Sequence, residues 1–214
     1  QERYIKFLAT GYDRYDYLGN PQLKAETNHQ ADLMLTYRPG KAELLLNVFI
    51  SKINGYIAGI LVPPNVARPL SQGAPGVKQF HNINDAYFTG FEATFSWIPF
   101  KNSNLGISAA YTYAYFTETE RIILENNQLA GTEVIKNDPV PEIPALDATM
   151  IFSYKFRKPM LKPQLTVRAV AAQNRVSLSY YEEKSPGYVI TDLALNYYPH
   201  KSVTLATGIS NLFN

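Results

Sequence analysis

Tyr87-Phe88-Thr89-Gly90-Phe91-Glu92-Ala93-Thr94-Phe95-Ser96-Trp97 decides the fold class. In an extended chain side chains alternate with period two, so Thr89, Phe91, Ala93, Phe95 and Trp97 share one face and Gly90, Glu92, Thr94 and Ser96 the other. A turn follows at Lys101-Asn102-Ser103-Asn104. Leu105, Ile107, Ala109, Tyr111, Tyr113 and Tyr115 then return against Gly106, Ser108, Ala110, Thr112 and Ala114. The two runs read as a hairpin with one greasy face and one small, mostly polar face.

The same reading extends both ways. Upstream, Ala31, Leu33, Leu35 and Tyr37 alternate with Gln30, Asp32, Met34 and Thr36, turn at Arg38-Pro39-Gly40-Lys41, and return as Leu44, Leu46, Val48 and Ile50 opposite Asn47 and Ser51. Downstream, Leu146, Ala148, Met150, Phe152, Tyr154 and Phe156 oppose Asp147, Thr149, Ser153 and Lys155. After a turn within 157–163, Leu165, Val167 and Ala169 oppose Thr166 and Arg168. The last pair sets Val189, Thr191, Leu193, Leu195 and Tyr197 against Asp192, Ala194 and Asn196, then climbs through Val203, Leu205 and Ile209. The expectation is about eight strands, each of about ten residues, in four hairpins.

That length separates two accounts of amphipathic strands. Strands in soluble sandwiches usually run about five to six residues, whereas an outer-membrane barrel needs about nine to eleven with a tilt. Aromatics also gather at strand ends: Tyr37, Trp97, Tyr154, Phe156, Tyr197 and Tyr198 at one level, Tyr111, Tyr113, Tyr115 and Phe116 toward the other. Such girdles mark where a barrel meets the headgroups. The expected class is therefore all-β, an antiparallel transmembrane β-barrel.

Composition removes other classes. The absence of cysteine excludes disulfide scaffolds, cysteine-ligated zinc and a cysteine nucleophile. Twenty Lys+Arg against eighteen Asp+Glu, spread along the chain, leave no basic block for nucleic acid. No apolar run approaches the roughly 18 residues of a membrane helix, since 55–67 is interrupted by Pro63 and Pro64. Neither a Gly-x-Ser-x-Gly elbow nor a Gly-x-x-x-x-Gly-Lys loop occurs, so catalysis is not expected and no cofactor is called for.

Connection lengths orient the strands. Short turns follow the first, third, fifth and seventh strands, and long loops, roughly 54–85, 117–142 and 173–187, follow the others. Outer-membrane barrels keep short turns in the periplasm and long loops outside, so both ends of this chain would be extracellular. A small free-standing barrel has the reverse arrangement. The expectation is a piece of a larger wall that does not close by itself, since unpaired strand edges are costly in hydrocarbon.

Several motifs resemble one family. Tyr17-Leu18-Gly19-Asn20-Pro21-Gln22-Leu23-Lys24-Ala25-Glu26 is similar to the Gly-Asn-Pro-x-Leu-Lys-Pro-Glu signature in the C-terminal half of TonB-dependent outer-membrane receptors, with Ala25 in place of the usual proline. Gly90-Phe91-Glu92, Pro141-x-Ile-Pro144, Tyr188-Val189-Ile190-Thr191-Asp192-Leu193 and the closing Asn211-Leu212-Phe213-Asn214 also match. The resemblance spans essentially residues 1–214. It implies strands 14 to 21 of a 22-stranded barrel, with the plug domain, the TonB box and the final strand outside this chain. It further implies an outer-membrane receptor of a Gram-negative bacterium that binds a scarce nutrient, such as a ferric siderophore, haem or a metal, and releases it inward through TonB. A passive porin or adhesin barrel and, more remotely, a barrel hydrolase are the alternatives.

The candidate contacts follow from parity and loop position. Glu92, Asp147, Lys155, Arg168 and Asp192 fall on the polar face, where they would meet ligand or plug, or else pair across strands in a wet lumen. His81 lies in the longest loop, while His29 and His200 lie near strand ends; no spacing assigns a metal to any of them. Tyr180 and Tyr181 could stack on a ligand ring. Glu118, Glu120, Glu125 and Glu133 could attract a cation or simply be solvated. A metal chelate is preferred to a glycan because the only tryptophan, Trp97, belongs to the periplasmic girdle.

Overall fold

The computed structural model describes residues 3–9, 13–125 and 128–213. It consists of strands and their connections, with no helix among the described residues. Among the described residues twelve strands occur: β1 (Asp16–Leu18), β2 (Thr27–Tyr37), β3 (Ala42–Asn54), β4 (Ile57–Leu61), β5 (Val77–Asn82), β6 (Ala86–Trp97), β7 (Ser103–Glu125), β8 (Gln128–Pro139), β9 (Asp147–Tyr154), β10 (Leu161–Val170), β11 (Tyr188–His200) and β12 (Val203–Ile209). Eight of them, β2, β3, β6, β7, β9, β10, β11 and β12, are the eight the alternation predicts. They form one antiparallel wall in the order β12-β11-β10-β9-β7-β6-β3-β2, with β8 paired to β7.

Register makes the two faces continuous. Asn47 pairs with Glu92, Glu92 with Ala110 and Ala110 with Asp147, so one row of polar and small side chains crosses four strands. The neighbouring row, Leu33, Val48, Phe91 and Tyr111, is wholly apolar and points the other way. Apolar residues on that second face stay exposed, Leu33 at 72% and Ile50 at 60% among them. In water an apolar face of this extent would demand a partner; hydrocarbon meets the demand. Gly90 has a steric role in the wall, because a Cβ there would stand 2.3 Å from the Tyr111 carbonyl oxygen and 2.7 Å from the Phe49 ring. Phe49 leans across the inner face where only glycine leaves room.

The long connections are more ordered than alternation suggests. Residues 54–85 contain the β4–β5 hairpin, and β5 also takes up β1 in parallel, Tyr17 opposite Lys78, which makes a separate three-stranded sheet. Residues 117–142 are largely strand: β7 runs on to Glu125 and folds back as β8. Thr117, Glu118, Thr119, Glu120 and Arg121 are polar on both faces, so a search for one apolar face passes over them; cross-strand pairing, including Arg121 to Glu133 at 2.6 Å, holds them instead. Asn126 and Asn127 in this connection, and Asn214 of the closing motif, lie outside the described residues. Within the described residues β2 and β12 each pair on one side only, so the wall is open at both edges.

An outer-end cleft as the candidate functional site

The three-stranded sheet, the β7–β8 hairpin and the 171–187 connection meet at the long-loop end of the wall. Beneath them is a small core of Ala86, Ala114, Phe116 and Val140, against which Tyr56, Phe88 and Tyr180 pack. Phe116 is fully buried and meets Tyr56 edge-on, ring centres 5.3 Å apart. Above this core opens a cleft of about 480 Å³, within the range of small-ligand sites. Its walls come from Tyr15, Tyr17, Phe80, Tyr56, Tyr180 and Tyr181.

Strand alternation explains how the wall residues converge. Lys78 and Phe80 share the cleft face of β5, and Tyr17 on neighbouring β1 stacks on Phe80 with ring centres 5.1 Å apart. Gly59 on β4 completes the close approach: a Cβ there would fall 2.5 Å from the Tyr17 ring. Lys78 is 6% exposed. Its Nζ donates to Asp13 at 2.6 Å and lies 4.3 Å, 5.2 Å and 5.9 Å from the ring centres of Tyr15, Tyr180 and Tyr17. Asp13 also accepts from the Tyr17 hydroxyl at 2.7 Å. A buried ammonium is tolerated because an opposite charge and aromatic faces replace its water.

Carboxylates hold the surrounding backbone. Asp138, almost fully buried, accepts from Ser177 Oγ at 2.6 Å, from the amides of Leu178 and Ser179 at 2.9 and 3.3 Å, and from the Ser179 hydroxyl. Asp16 accepts the amides of Leu70 and Ser71 at 2.8 and 2.9 Å. Glu182 accepts those of Glu142 and Ser177, both at 2.9 Å. Each of these acids satisfies donors that a loop would otherwise leave without partners. The Tyr15 phenol is pushed above its ordinary value by burial first, then by Tyr181 and Asp13 beside it. Burial likewise raises Tyr56, with Glu26 and Glu142 adding to it.

The family model described as TonB dependent receptor-like, beta-barrel matches residues 2–212. The chain belongs to that family. Among solved structures, the copper transporter OprC superposes with a TM-score of 0.68 at 22% identity, over 90% of this chain and 26% of that one. The ferric enterobactin receptor PfeA in complex with BCV-L6 gives 0.64 at 20%, over 92% and 27%. The FrpB iron transporter from Neisseria meningitidis (F3-3 variant) gives 0.60 at 15%, over 92% and 27%. This chain therefore spans about a quarter of the length of these structures, and at such identities the likeness establishes the fold. No curated protein matches the sequence. The family is one of outer-membrane receptors and transporters, not of enzymes.

Along this wall the polar-face candidates disperse. Arg168 forks onto Asp147, Nε at 3.0 and 3.1 Å from its two oxygens and Nη2 at 2.5 Å from one, so the two pair with each other across β9 and β10. Asp192 accepts the Asn211 amide at 2.8 Å and ties down the Asn-Leu-Phe segment. Glu92 stands mid-wall on the inner face beside Asn47, whose Oδ1 is buried with no hydrogen-bond partner among the described residues. His81 lies on the face of β5 away from Lys78, 3.2 Å from Gln79 Oε1. Tyr180 and Tyr181 do line the cleft. Parity and loop position did not single out Asp13, Tyr15, Tyr17, Tyr56 or Lys78. The alternations Tyr15-x-Tyr17 and Lys78-x-Phe80 were the available signal.

Proposed function

We propose that this chain is the C-terminal part of the barrel of a TonB-dependent outer-membrane receptor of a Gram-negative bacterium, which captures a scarce nutrient in the outer-end cleft. A metal chelate is the preferred cargo. The observation that carries this reading is the aromatic cleft at the long-loop end of a wall whose other face is mostly apolar. In such barrels the long loops face outside, so the cleft meets incoming ligand first. Specificity then lies with ring faces and a few fixed polar groups, and transport with gating by parts beyond this chain. On this reading a plug domain and a final strand complete a 22-stranded whole, and TonB is the energising partner. Asn47 and Glu92, on the inner face at mid-wall, are the residues we assign to the plug. The membrane lipid contacts the apolar face, and no catalytic role is assigned.

Energised import tests the reading. Cells producing the full-length receptor should accumulate radio-iron chelate only when the receptor is present and should stop when a protonophore collapses the inner-membrane potential. Receptor-dependent import that ignores the protonophore would establish a passive porin instead.

A further inference from the structure

Given the receptor reading, we propose that the cleft selects a neutral or singly positive chelate, one presenting methylenes, rings and hydroxyls, over a multiply charged anion. Among the described lining residues Lys78 is the one cation, and its charge is already matched by Asp13. Its side chain is 7% exposed, its Nζ is bonded to Asp13, and tyrosine rings cover the rest. The acids Asp13, Glu142 and Glu182 share the same lining, so three carboxylates stand against one ammonium. Glu142 lies exposed at the mouth.

An anionic chelate entering here would meet carboxylates with no unpaired cation to receive it. A polyanion site needs forks of arginine or free lysine, which deliver charge-assisted bonds to each oxygen. This cleft offers ring faces instead, and their negative faces attract cations and accept apolar groups equally well. The raised Tyr15 and Tyr56 phenols agree with that field, since neighbouring acids contribute to both. The pairing of Lys78 with Asp13 thus separates size selection, set by the rings, from charge selection, set by Glu142 and its neighbours.

Three iron-loaded probes decide the matter on the purified full-length receptor: cationic ferrioxamine B, neutral ferrichrome and polyanionic ferric enterobactin. Equilibrium binding should favour the first two over the third by on the order of a hundredfold at low salt. Glu142→Gln, an exposed change, should weaken the cationic probe about threefold more than the neutral one. Tightest binding by ferric enterobactin would overturn the proposal. So would failure of all three probes to bind, and in that case protonophore-sensitive import of another nutrient by the same cells would leave the receptor reading standing.

Discussion

Asn47, Glu92 and Ala110 occupy one row at mid-wall by register alone, whereas Asp13, Lys78 and Tyr180 meet at the outer end although the chain separates them widely. In the wall, backbone pairing is regular and a side chain matters chiefly for the face it joins. In the cap, short strands are joined by irregular connections, and single carboxylates hold those connections in place. The wall therefore tolerates substitutions that keep the face. The cap depends on particular atoms.

Asp138→Ala should show the largest effect. It removes the acceptor of four hydrogen bonds, each charge-assisted contact being worth about 1.5–3 kcal/mol. Limited proteolysis of the receptor in detergent should then nick residues 171–187 while the wall stays resistant; a nick in β9 or β10 would mean that the two regions unfold together.

A pair of adjacent lysines probes the wall itself. Val48→Lys sets a charge on the apolar face, which costs about 2–4 kcal/mol at the bilayer midplane, and Asn47→Lys sets the same charge one residue away on the inner face. Denaturant titration in liposomes should show a loss for the first several times that for the second. Equal losses would erase the distinction between faces.

The smallest effect concerns protons. Tyr15 has its pKa raised above 10.0 in the folded cap, so the neutral phenol is favoured there. The stabilisation it contributes is complete below pH 10.0 and disappears as pH rises through the raised value. In the phenolate difference spectrum, Tyr15→Phe should remove a tyrosine that titrates later than free phenol, and cap resistance to protease should then fall less steeply in alkali.

Legibility divides along the same line. Alternation exposed β2, β3, β6, β9, β10, β11, β12 and the first half of β7 because lipid imposes one uniform demand on one face. It missed β8 and the second half of β7, where Thr117 to Arg121 are polar on both sides, and it missed β1, three residues long and paired in parallel with a strand some sixty positions away. At the site, Tyr180 and Tyr181 were legible as aromatics in a loop. Lys78 was not, since its partner Asp13 is 65 positions distant and neither belongs to a motif. Asp147 and Arg168 show the reverse: parity placed both on the inner face with cross-strand pairing as one reading, and the geometry selects that reading and names the pair.

The connection after β10 has a further consequence. Between Ala110, the last β7 residue paired to β9, and Tyr115, the first paired to β8, the wall has a seam. Arg175 lies there, its guanidinium 3.6 Å from the centre of the outward Tyr113 ring and Nη2 3.4 Å from the Ala114 carbonyl oxygen. Five residues later Tyr180 rests on inward Phe116, with Asp138 gripping the chain between. One short covalent tether thus stitches the outward face of the wall to its inward face. Any displacement of Tyr180 must either stretch the Asp138 grip or tug at Arg175 where it rests on Tyr113, so the two faces of the wall are mechanically coupled at this seam.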